Sequence, residues 1–90
     1  MTFTEELDML QSRVRDEAAT KMTQEIMDEL KVKASDPDHP VPLVFVIKYC
    51  ENKILKNIVE DRLREKGLEV TIYTFRHGWN IDATYRFAEK

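Results

Sequence analysis

The chain has 90 residues, 42% hydrophobic and 34% charged, with two glycines, one cysteine and a net charge of −3. That length supports one domain around one core. The composition argues against disorder, a disulfide scaffold or a zinc site, and no apolar run approaches the roughly eighteen residues of a membrane-spanning helix.

From Thr4 to about Ala34 there is no glycine or proline, and apolar residues fall at Phe3, Leu7, Leu10, Val14, Ala18, Met22, Ile26 and Leu30. This spacing predicts an amphipathic helix. Either Thr2 or Thr4 can cap it, with Glu5 and Glu6 in the first turn and Lys31 and Lys33 in the last, where each sign complements the helix dipole. A helix of about thirty residues would run near 45 Å, longer than a core built from the rest of the chain can cover. The excess points to a homodimer seam through Leu7, Leu10, Val14, Met22 and Ile26. The competing reading is a break near Ala18-Ala19-Thr20.

The segment SDPDHPVP (35–42) holds all three prolines, which stop the helix and favour extended chain. LVFVIKYC (43–50) is then an almost continuous apolar run, expected as a central strand buried on both faces. Leu43, Phe45, Ile47 and Tyr49 share one side of it, and Val44, Val46 and Lys48 the other. Residues 51–66 predict a second helix with Ile54, Leu55, Ile58, Val59 and Leu63 inward. Gly67 supplies its left-handed stop, and Leu68 is placed to touch Leu63. Two alternating segments, 69–76 and 80–87, joined by His77-Gly78-Trp79, predict a hairpin. The expected architecture is therefore α+β: a two-layer sandwich of order α-β-α-β-β. It comprises one domain over 1–90, divided into a long helix (1–34), a proline-rich loop (35–42) and a β-α-β-β unit (43–90). The strand–helix–strand step favours parallel strands and the hairpin an antiparallel one, so a three-stranded mixed sheet is expected.

Few residues invite catalysis. Cys50 ends a strand before a helix, a position that can activate a thiol, but no second cysteine or anion-holding arginine accompanies it, which favours an inert buried cysteine. Asp36, Asp38 and His39 could join His77 or Asp82 around a metal, although acids and histidine in a loop are usually turn formers. Ser12 and Ser35 offer no triad, and two distant glycines make no phosphate loop. His77 is a residue type suited to general acid–base work, but it is expected at an exposed hairpin tip with no water-excluded pocket. The expectation is a non-enzyme with no cofactor and no metal.

Five of the eight aromatics lie in the last eighteen residues. Alternation puts Tyr85 and Phe87 under the helices with Ile81 and Ala83. It turns Tyr73 and Phe75 to the opposite face, with Arg76, His77, Trp79 and Arg86. Such a face can stack on nucleic-acid bases, pack on a second copy, or be covered by the first helix. Trp79 is the expected partner anchor.

The segment 54–87 resembles the closing half of small uncharacterised phage-encoded proteins, through the helix stop of Leu63, Gly67 and Leu68 and the closing aromatics Tyr85 and Phe87. The resemblance implies an accessory or virion-associated protein that works by binding. The element order also looks like the carboxy-terminal domain of bacterial initiation factor three and related sulfur-carrier folds, without their first strand or the carriers' Cys-Pro-x-Pro motif. Together these readings expect a cytoplasmic interaction module that pairs with itself and with an unknown protein. Nucleic acid is the alternative partner, and no membrane is involved.

Overall fold

The computed structural model describes residues 2–39 and 41–87; Met1 of the expected long helix, Pro40 of the expected loop and the last three residues of the expected domain lie outside the described residues. The elements run α1 (Phe3–Ala34), β1 (Leu43–Cys50), α2 (Lys53–Glu65), β2 (Glu69–Phe75) and β3 (Gly78–Arg86). The fold is α+β, in the order that the periodicities predict.

Local chemistry accounts for the helix ends. The Thr2 hydroxyl accepts from the Glu5 amide at 3.2 Å, and the Asn52 side chain accepts from the Leu55 amide at 3.0 Å, so each helix has a side-chain N-cap. Helix α2 stops at Gly67, whose φ of 86° needs no Cβ to be accommodated. There the Leu68 amide donates to the Leu63 carbonyl at 3.3 Å and the Gly67 amide to that of Arg64 at 3.0 Å, the paired bonds of a Schellman ending. Helix α1 is continuous through Ala18-Ala19-Thr20, so the competing expectation of a break there does not hold.

The sheet corrects two expectations. Strand β3, not β1, is central: the order is β1-β3-β2, and both pairings are antiparallel, so the sheet is antiparallel rather than mixed. Helix α2 does carry the chain across the sheet from β1, but it sets β2 down one strand away, and the returning β3 fills the gap. Antiparallel ladders are slightly more stable per residue than parallel ones, and this order uses no others. The hairpin turn is Arg76-His77 rather than His77-Gly78-Trp79, with Arg76 at a φ of 54°, and β3 starts at Gly78.

Both helices lie on one face of the sheet. Val44, Val46 and Cys50 of β1 and Ile81 and Ala83 of β3 are buried against Ile26 and Leu30 of α1 and Val59 and Leu63 of α2. Ala19, fully buried, belongs to the same core. Only the second half of α1 takes part. Every residue of α1 before Ala19 is exposed except half-buried Arg15, so the first four turns project from the body as an arm. The chain accordingly measures 58 Å along its longest axis but only 26 and 17 Å across. The Arg62 guanidinium of α2 marks the root of the arm, pairing with the Asp16 carboxylate and donating to the Thr20 hydroxyl at 2.8 Å.

Candidate functional site

Cross-strand register decides which side chains share the second sheet face. Phe45 aligns with Thr84 and Glu69, Ile47 with Asp82 and Thr71, Tyr49 with Asn80 and Tyr73, and Gly78 with Phe75. Directly opposed residues point the same way. The outer strands thus present two apolar rails, Phe45-Ile47-Tyr49 and Tyr73-Phe75, and the central strand a polar strip of Asn80, Asp82, Thr84 and Arg86. All five rail residues are exposed, Tyr73 at 52% and Phe75 at 48%, and no described residue covers them. Tyr73 and Phe75 thus face outward, as alternation predicts. The covering role that α1 could have played is ruled out, because α1 packs on the opposite face.

The rails are organised at the hairpin end. The Tyr49 and Phe75 rings meet edge to face with centroids 6.1 Å apart, and the Arg76 guanidinium lies 5.2 Å from the Phe75 centroid. Gly78 sits beneath, since a Cβ there would lie 3.0 Å from the Tyr49 ring. The Tyr49 hydroxyl donates to Glu51 at 3.2 Å; burial and then that bond raise its pKa above the ordinary 10.0. At the β1 edge, the Lys33 ammonium donates to the Phe45 carbonyl at 2.6 Å and lies 5.2 Å from the Phe45 centroid, which places a charge on an otherwise open strand edge.

The face carries both signs of charge. Arg86 pairs with Glu69 at 3.2 Å, and Asp82 accepts from the Thr84 hydroxyl at 2.9 Å in mid-face. His77 is exposed in the hairpin turn.

Three expected site residues lie elsewhere. Trp79 is aligned with Cys50 and Thr74, which puts it on the helix side, half-buried, with the Lys56 ammonium 5.4 Å from its ring. It is not an exposed anchor of the open face. Ile26 is fully buried and Met22 half-buried against the chain's own core, so neither belongs to a dimer seam. Leu7, Leu10 and Val14 are on the arm and exposed. Tyr85 is on the helix side, as alternation predicts, but 45% exposed, because it floors an open cleft of about 310 Å³ between α1 and the α2–β2 turn. Phe87 is half-buried, packed edge to face on Tyr85 and on His39.

No protein family, curated protein or solved structure matches this chain. Cys50 is buried, and its thiol donates to the Asn52 carbonyl at 3.4 Å. His39 bonds the Leu43 carbonyl at 2.6 Å, at the opposite end of the sheet from His77, and no group of three or more potential metal ligands occurs among the described residues. Nor is any described helix long and apolar enough to cross a membrane.

Sequence reasoning missed Phe45, Ile47 and Tyr49 as surface residues. An unbroken apolar run reads as a strand buried on both sides, and here one side is open. The signal that could have found them is in β3, whose Asn80, Asp82 and Thr84 had to face the same way as one side of a neighbouring strand.

Proposed function

We propose that this protein is a non-enzymatic interaction module, acting in the cytoplasm, that pairs with a second copy of itself and offers its open sheet face to a protein partner. In this reading the body is a two-layer sandwich whose helices serve the core and whose free sheet face serves recognition. The observation that carries it is the apolar surface left uncovered at two separate places, the rails of the sheet and the arm of α1. Soluble chains rarely leave contiguous apolar patches without a use. Aromatic rails beside a polar strip suit protein recognition, where large rigid side chains supply area and polar groups supply specificity. The same proposal includes a phage-encoded accessory role, the expectation attached to residues 54–87.

Charge balance favours a protein over a polyanion on this face. Arg86 is already paired with Glu69, and Asp82 in mid-face would meet phosphates. The two readings separate by salt: nucleic-acid binding through Tyr73, Phe75 and Arg76 should weaken steeply as salt rises, whereas an apolar dimer tolerates it. Light scattering coupled to size exclusion, at protein concentrations up to about 200 µM where even weak dimers populate, tests the self-association. A mass of twice 10.7 kDa is expected in low and high salt. A single-chain mass throughout would refute it.

A further inference from the structure

We infer that the arm pairs with the arm of a second copy in an antiparallel two-helix coil spanning Phe3 to Val14. This rests on the self-association just proposed and assigns it a surface and an orientation. Along the arm the exposed apolar residues Phe3, Leu7, Leu10 and Val14 step by four, three and four, the spacing of a coiled-coil seam. The seam ends where the body begins: its next two positions are Glu17 and Lys21, and Asp16 and Thr20 are held by Arg62. Beyond Val14 the apolar steps are all of four, which turn the stripe into the chain's own core at Ile26 and Leu30. The two halves of α1 thus carry two different apolar faces, one used within the subunit and one not. The sheet face is a poorer self-interface, because its central strand would bring Asp82 onto a dry contact.

Orientation follows from size and charge. In an antiparallel coil Phe3 packs opposite Val14 of the second copy and Leu7 opposite Leu10, so each layer sums one larger and one smaller or two equal side chains. A parallel coil would oppose Phe3 with Phe3 and Val14 with Val14. Glu6 and Arg13 occupy the flanking position that, in antiparallel pairs, meets its own kind across the seam, so Glu6 of each copy faces Arg13 of the other. The parallel alternative sets Glu6 against Gln11 and groups the acids Glu5, Glu6 and Asp8 with their twins. The helix is already nucleated by the body, so pairing pays no folding cost of its own. The overlap is about 18 Å long, which places the contact among small, concentration-dependent interfaces.

Two experiments on the full chain test this. In a Cys50→Ala background, Phe3→Cys and Val14→Cys chains are oxidised separately and mixed. Antiparallel pairing brings residue 3 of one copy to residue 14 of the other and keeps like residues about 16 Å apart, too far for a disulfide. Cross-linking only in the mixture is expected. Cross-linking of either variant alone would overturn the orientation while leaving the dimer. In the second, sedimentation equilibrium follows Glu6→Arg, Arg13→Glu and the double variant, all of which keep the apolar seam. Each single reversal should raise the dissociation constant on the order of tenfold, and the double should recover to within about twofold of the original. Single reversals without effect, or a double variant that does not recover, would overturn the antiparallel arm. A wild-type chain that stays monomeric would remove the self-association beneath it.

Discussion

Replacing Gly78 by alanine probes the strand order directly. A Cβ at this position would lie 2.5 Å from the Cys50 carbonyl oxygen and 3.0 Å from the Glu51 Cα, where ordinary contact begins at 3.4 Å. The oxygen contact is therefore about 0.9 Å too short, and both atoms are backbone, fixed where Cys50 pairs with Trp79. Relief requires β1 and β3 to separate at the hairpin end. Overpacking of this kind costs about 1–3 kcal/mol, offset by about 0.4–1 kcal/mol because alanine restricts the unfolded chain. A net loss of about 1 kcal/mol lowers the midpoint of a domain this size by roughly 4–8 °C, measurable by circular dichroism with urea unfolding as a check. Gly67 supplies the contrast: its Cβ would meet nothing within 4 Å, and its requirement is the φ of 86°, which asparagine tolerates. Gly67→Asn should thus be mild and Gly78→Asn severe. If Gly78→Ala melts at or above the wild-type temperature, β3 does not lie against the end of β1, and the rail arrangement goes with it.

Thr23 is 5% exposed and its hydroxyl has no hydrogen-bond partner among the described residues, so Thr23→Val, which keeps the shape and removes the unpaired oxygen, should stabilise the chain by about 1–2 kcal/mol in urea unfolding. A loss of stability would mean that the hydroxyl is satisfied. High pH should weaken the fold. The Glu29 hydrogen bond at 2.8 Å, opposed by burial, holds the Lys48 pKa above its ordinary 10.5, and Tyr49 is raised above 10.0. In both cases the folded state holds its proton more tightly than the unfolded chain does. The contribution is then complete below the unfolded value and disappears as pH climbs through the folded one. Urea midpoints should be level from pH 7 to about 10 and fall above it, with a shallower fall in Lys48→Met/Tyr49→Phe. An equal slope in that variant would assign the alkaline loss to other groups.

How much of this is legible in the residues depends on the range of the interaction concerned. Caps and stops act within a turn of helix, and Thr2, Gly67 and Leu68 state them in a few residues. The alternation that turns Tyr73 and Phe75 away from Ile72 and Val70 is equally local. Trp79 defeats a local reading because the hairpin turn falls one residue earlier than its composition suggests: the register that puts Thr74 opposite Trp79 ties the indole to the helix side. Ile26 and Met22 defeat it because they continue the stripe of Leu7, Leu10 and Val14 in sequence, while only the packed fold shows that this part of the stripe meets the chain's own sheet.

The chain's own order of residues determined its five elements, the helix ends, and the alternation along each strand, since these follow from backbone sterics and neighbours a few positions apart. Which strand lies in the middle, and therefore that Phe45, Ile47 and Tyr49 stay exposed beside Tyr73 and Phe75, was decided only by assembly. Placing β2 beside β1 or one strand away satisfies the same alternation. The choice rests on ladder geometry and on how α2 spans the sheet, which involve residues some thirty to forty positions apart.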